Sequence, residues 1–118
     1  MDWLDRQPRQ TLFTTATSYG ELLAGAALLP QGKRKNDFLT RIESTLLNLF
    51  EGRVLAFDRD AATSYALIVA AGRKKGHVIS IADAQIAAIA RCRGFAIATR
   101  DVRPFEAAGI TVINPWLN

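Results

Sequence analysis

Residues 80–101, SIADAQIAAIARCRGFAIATRD, decide the fold class. Ser80 and Asp83 stand in the [ST]-x-x-[DE] spacing of a helix start, where a short hydroxyl side chain accepts from an N–H that has no partner inside the helix. Ile86, Ile89 and Ala90 recur at helical spacing, and Gly94 supplies the stop. Phe95 to Thr99 (FAIAT) is a short apolar strand, and Asp101 follows it. A helix that leads directly into an apolar strand is part of a parallel α/β arrangement, because crossovers in such sheets are helical and right-handed.

The same alternation extends outward in both directions. Upstream, Asp58 is the expected N-cap of a helix that runs through Tyr65, Ile68 and Val69 to Arg73-Lys74-Lys75. Gly76 follows, and both features suit a helix C-terminus. Arg53 to Phe57 (RVLAF) is a strand candidate. Phe38, Ile42, Leu46 and Leu49 predict a helix from Asn36 or Asp37 to Phe50, stopped by Gly52. Thr11 to Thr17 (TLFTTAT) is rich in β-formers and predicts a strand. Ser18 would then cap a helix carrying Leu22, Leu23, Ala26 and Leu29, broken by Pro30-Gln31-Gly32. Downstream, Ile110 to Ile113 (ITVI) predicts the last strand, ended by Asn114-Pro115. The order β-α-α-β-α-α-β-turn-β predicts an α/β fold with a parallel sheet flanked by helices. A helix-like WLDRQ fragment precedes the first strand.

The chain has 118 residues, the length of one domain, so a single domain over 1–118 is expected. Apolar residues make up 49% and charged residues 22%, which argues against intrinsic disorder. The single cysteine, Cys92, excludes an internal disulfide framework and a cysteine-based zinc site. The single histidine, His77, excludes paired-histidine metal motifs. No apolar run approaches the ~20 residues that cross a bilayer, and the acidic N-terminal residues do not form a signal peptide. A small cytoplasmic protein with no membrane association is expected. Its net charge of +4 permits an anionic partner.

Ligands of open parallel sheets bind beyond the carboxyl ends of the strands. Three acids fall at such places. Glu21 ends the segment Ser18-Tyr19-Gly20-Glu21 after the first strand, Asp83 opens the helix that begins at Ser80, and Asp101 follows FAIAT. Acids gathered at one edge repel unless a cation neutralises them. With neither cysteine nor histidine beside them, they offer hard oxygens, which favour Mg²⁺ or Mn²⁺. Such an ion on a basic protein suggests phosphoester chemistry. The structural reading of the same residues is simpler: Glu21 and Asp83 as capping-box acids, and Asp101 as a turn residue.

The run from Ser80 to Ala90 with Ala98-Thr99-Arg100-Asp101 resembles the C-terminal half of PIN-domain ribonuclease toxins of the VapC/FitB type. Gly20-Glu21-Leu22-Leu23-Ala24-Gly25, Leu29-Pro30-Gln31-Gly32-Lys33-Arg34-Lys35, Gly52-Arg53-Val54-Leu55-Ala56-Phe57-Asp58 and Asn114-Pro115-Trp116 are similar to the FitB-like branch. The likeness covers nearly the whole chain. It implies a PIN-like parallel sheet and a Mg²⁺- or Mn²⁺-dependent endoribonuclease, the toxin of a type II toxin–antitoxin pair. It also implies a homodimer held inactive by a cognate antitoxin whose tail blocks the acidic site. Glu21, Asp83 and Asp101 match the family's catalytic, metal-holding acids, and Thr99 matches a supporting position.

The likeness departs at the start. Family members open with a strand of the form LDTNV, whose Asp is a principal ligand. Here Met1-Asp2-Trp3-Leu4-Asp5 lines up with the helix that follows that strand, and neither Asp2 nor Asp5 matches the missing ligand. The fold is therefore expected to lack the usual first strand, through a start codon assigned too late or through true truncation. In the second case the chain would be an inactive remnant that keeps its antitoxin or dimer surface.

Lys33-Arg34-Lys35 and Arg73-Lys74-Lys75 are the two basic clusters. The first is read as a loop free to reach RNA phosphates, and the second is already explained as a helix end. A small nucleic-acid-binding module using these loops alone is a third reading. Trp3 and Trp116 are expected to pack, His77 to lie at the surface, and Cys92 to act as a small hydrophobe. No phosphate-cradling glycine motif is present.

Overall fold

The computed structural model describes residues 2–115. Trp116, and with it the end of the Asn114-Pro115-Trp116 motif, lies outside the described residues. In chain order the elements are α1 (Asp2–Arg6), β1 (Thr14–Thr15), α2 (Ala16–Ala27), α3 (Lys33–Asn48), β2 (Val54–Leu55), α4 (Arg59–Lys74), α5 (Ile81–Arg93), β3 (Ile97–Ala98), α6 (Arg103–Ala107) and β4 (Val112–Ile113). The α/β expectation holds. The WLDRQ fragment is helical as read, and no strand precedes β1 among the described residues. No described helix is long and apolar enough to cross a membrane.

The chain forms two compact units, Gln7–Leu55 and the remainder. In the first, β1 pairs in parallel with β2, Thr14 opposite Val54 and Thr15 opposite Leu55. The strand expected over 11–17 is cut short on both sides. Arg9–Thr11 forms a 3₁₀ turn, and α2 begins at Ala16. The cap is Thr15, whose side chain accepts from the Ser18 N–H at 2.9 Å; Ser18 is not the cap. A threonine between strand and helix serves both elements, since its branched Cβ suits the strand and its hydroxyl suits the cap.

α3 starts at Lys33, three or four residues earlier than the expected start at Asn36 or Asp37. Gly32, at φ +146°, makes the entry turn. Lys33-Arg34-Lys35 is therefore the first turn of a helix and not a loop. Cations there oppose the helix dipole, so the turn forms because the rest of the helix packs, with Ile42 buried.

Arg53 ties this unit together, and no local pattern announces it. Its Nε donates to the Leu12 carbonyl at 2.8 Å, and Nη2 donates to the carbonyls of Arg9 and Leu49. The guanidinium lies 5.8 Å from the Phe13 ring centroid and 3.5 Å from a Glu51 carboxylate oxygen. One planar fork thus satisfies carbonyls of a turn that has no ladder of its own.

The second unit is built on α4 and α5. Asp58 caps α4 by accepting from the Ala61 N–H at 3.0 Å, and its Oδ2 stands 3.7 Å from Arg93 at the other end of α5. Ala84, Ala87 and Ala88 have no exposed surface, so α5 presents a flat, small-residue face to its neighbours. Ile68, Ala87, Ala88, Ala90, Phe105 and Ile110 form the core, with Phe57 and Tyr65 edge-to-face at 5.6 Å beside it. β3 pairs in parallel with β4, Ile97 opposite Val112 and Ala98 opposite Ile113. The sheet is thus present as two parallel pairs, one in each unit. α6, read from sequence as a turn, is a short helix with Pro104 in its first turn and Phe105 buried.

Candidate active-site carboxylates

Glu21 is the sixth residue of α2 and is exposed. The capping-box reading of Ser18-x-x-Glu21 fails, because the helix begins two residues before Ser18 and its first turn holds no acid. A carboxylate beyond the first turn gains little from the helix dipole. The capping explanation for this acid is therefore removed.

Asp83 keeps its capping context. Ser80 is the N-cap of α5, and the Asp83 N–H donates to Ser80 Oγ at 3.1 Å. The Asp83 backbone is held by this bond, and its side chain is half-buried at the positive end of a 13-residue helix. Capping and ligation are compatible here, since this cap bond uses the Asp83 N–H and not its carboxylate.

Asp101 lies just beyond β3. Thr99 donates its N–H to the Ile113 carbonyl at 3.0 Å, continuing the β3–β4 pairing. Its hydroxyl then accepts from the Asp101 N–H at 3.1 Å. Thr99 so links the sheet to the Asp101 turn and fixes the backbone of that turn. Asp101 itself is exposed.

Thr99 and Asp101 are in direct contact, and Asp83 belongs to the same unit; Glu21 belongs to the other. Among the described residues, no three His, Cys, Asp or Glu side chains gather closely enough to hold a metal ion. The donors are nevertheless all carboxylates. His77 is an exposed residue after α4, and Cys92 donates to the Ile89 carbonyl at 3.3 Å within α5. Arg53 was not singled out from sequence. Its carbonyl partners at positions 9 and 12 lie more than forty residues away, so no short-range signal marks it.

A family model described as "PIN domain" matches residues 1–110. The chain is 48% identical to VapC ribonuclease Y4jK of Sinorhizobium fredii, over 97% of this chain and 81% of that protein. It is 41% identical to Toxin FitB of Neisseria gonorrhoeae, over 97% of this chain and 82% of that protein. The solved structure of FitAB bound to an IR36 DNA fragment superposes with a TM-score of 0.88 at 40% identity, covering 98% of this chain and 80% of that one. With this agreement in sequence and fold, the chain belongs to the PIN-domain family, in its VapC/FitB branch.

Proposed function

We propose that the protein is a toxin–antitoxin nuclease that cleaves RNA with the help of a divalent cation. Its kinship with a VapC ribonuclease along nearly its whole length carries this reading. Glu21, Asp83 and Asp101 are the proposed catalytic and metal-holding residues, and Thr99 positions Asp101 through the hydroxyl contact. Glu21 has no capping role in α2 and is exposed.

The donor set suits Mg²⁺ or Mn²⁺, which take hard oxygens. Mg²⁺ is usually held by one or two carboxylates together with water and substrate phosphate, so a fully preformed cage of three acids is not required. Bound there, the ion would supply a water nucleophile and neutralise charge on the phosphate. The chain's own contribution is to hold Asp83 on a capped helix start and Asp101 on a turn tied to the sheet. Connectivity favours a common end for these two: the short link from α5 into β3 turns the chain back, so the start of α5 and the exit of β3 face the same way.

Lys33, Arg34 and Lys35 are the proposed contacts to RNA phosphates, in the first turn of α3. The partners are a cognate antitoxin and a second copy of the chain, and a cytoplasmic site of action follows from that role. The test is cleavage of RNA by wild type and by Asp83→Asn with Mg²⁺ present and after chelation. We expect a loss of about 100-fold in Asp83→Asn, the scale of one removed charge-stabilising group, and a similar loss after chelation. Unchanged cleavage in Asp83→Asn would remove the catalytic assignment. A second reading is a protein that keeps its partner surfaces without cleaving. It is supported if wild type binds its antitoxin but shows no cation-dependent cleavage.

A further inference from the structure

α4 packs one side against α5 and leaves the other in solvent. Ala61 and Ile68 are buried, whereas Ala62, Thr63, Ala66, Leu67, Ala70 and Ala71 are exposed, Leu67 by 56%. From Ala61 to Gly72 there is no charged residue. α3 has the same length of 16 residues, yet its solvent side carries Asp37, Arg41 and Glu43 along its middle. A surface helix is ordinarily charged on its outer side, and a helix apolar nearly all round is one that is covered on both. An uncharged outer face of this kind marks a contact surface.

The two ends of the face select its occupant. Asp60, Thr63, Leu67, Ala70 and Lys74 follow one another at spacings of three and four, which sets them in one line along the helix. Leu67 is the middle of that line, seven positions from Asp60 and seven from Lys74. Neither Asp60 nor Lys74 has an ion-pair partner among the described residues. A line with an acid at one end, a cation at the other and an apolar centre is complementary to itself turned end for end. Helix polarity accounts for the sign of each end. It does not account for the exposed, uncharged stretch between them. Arg59 stands ~100° round the helix from Asp60 and so outside the line. α2 also exposes apolar side chains, Leu22 by 46%, but its first turn holds no acid and its last turn no base, so nothing there selects a partner.

We propose that α4 pairs with α4 of a second copy of this chain, antiparallel, about a two-fold axis at Leu67. The two Leu67 side chains meet at the axis, and Ala66, Ala70 and Ala71 beside it let the helices approach closely. Asp60 then meets the partner's Lys74, and the symmetry makes the same ion pair twice. Nucleic acid fits less well, because the face between the two ends offers no cation to a phosphate. The proposal gives the second copy a surface. It does not rest on cleavage, and cleavage is not its readout.

The experiment is sedimentation equilibrium of the full chain from micromolar to near-millimolar concentration. Wild type is expected to be a concentration-dependent dimer, since one helix from each copy makes a small interface. Asp60→Lys and Lys74→Glu should each weaken association at least ~10-fold, because each turns both ion pairs into like-charge contacts. Both positions are exposed, so the helix content of each variant by circular dichroism should match wild type. An equimolar mixture of the two variants should recover wild-type association. In the mixed dimer the introduced lysine faces the introduced glutamate, and the untouched Asp60 and Lys74 still meet. A wild-type monomer at every concentration overturns the proposal and leaves the face to a different partner. A dimer that both variants leave intact also overturns it, while placing the second copy on another surface. Weakening without recovery in the mixture overturns the antiparallel pairing.

Discussion

Gly72, inside the last turns of α4, is there for space and not for flexibility. Its carbonyl accepts from the His77 N–H at 2.8 Å, and a Cβ on it would stand 2.8 Å from the His77 carbonyl oxygen. Alanine would gain about 1 kcal/mol in helix propensity. It would also force two pieces of backbone apart, at an overpacking cost of about 1–3 kcal/mol. The clash should prevail, so Gly72→Ala is expected to lower stability by about 1 kcal/mol in a urea melt. A gain in stability would show that the His77 segment yields freely. Arg53 poses the opposite case, a side chain whose value lies in its donors. Arg53→Met keeps the stem and removes the fork, leaving the Leu12, Arg9 and Leu49 carbonyls without it. A loss of about 1.5–3 kcal/mol is expected, the usual scale for hydrogen bonds to a charged group. The same melt measures it, and a loss under about 0.5 kcal/mol would mean that water replaces the guanidinium.

Where a helix begins decides what its acids are for. α4 and α5 start where their sequence says, because Asp58 and Ser80 are each followed by a strong helical pattern and preceded by extended chain. α2 does not. TLFTTATS offers several hydroxyl residues able to cap, and spacing alone cannot rank them. Pairing of Thr14 and Thr15 with β2 ends the strand at Thr15, and the helix starts from there. Thr15→Ala should therefore cost about 1 kcal/mol. Ser18→Ala should cost distinctly less, since the Ser18 N–H remains to be capped by Thr15. Thermal melts of the two variants check this, and the reverse order would restore Ser18 as the cap. The shift in the cap moves Glu21 out of the first turn, to an exposed position in the body of α2.

At the scale of the molecule, the two units differ in how much they bury. Residues 7–55 bury only Leu12, Ala26, Ile42 and Leu55, whereas the other unit carries the remaining buried core. Local opening free energy follows buried apolar contact. Amide exchange should therefore be slowest at Ile68 and at Ala87 to Ala90, and at least ~10-fold faster across α2 and α3, the ratio for a gap of about 1.4 kcal/mol. Uniform protection across both units would contradict it.

Much of this molecule was legible in the sequence. The caps at Asp58 and Ser80, the stops at Gly76 and Gly94, and the apolar runs over 95–99 and 110–113 are local signals. Local hydrogen bonding and side-chain period determine such features within a few residues. The likeness to PIN toxins was equally readable, because it rests on the order of short motifs. Tertiary structure decided the rest. It placed the cap at Thr15, made Lys33-Arg34-Lys35 a helix turn, folded Arg103–Ala107 around a buried Phe105, and gave Arg53 its carbonyls. Each of these depends on a partner many residues away, and the free energy of such a contact is written in no single stretch of chain.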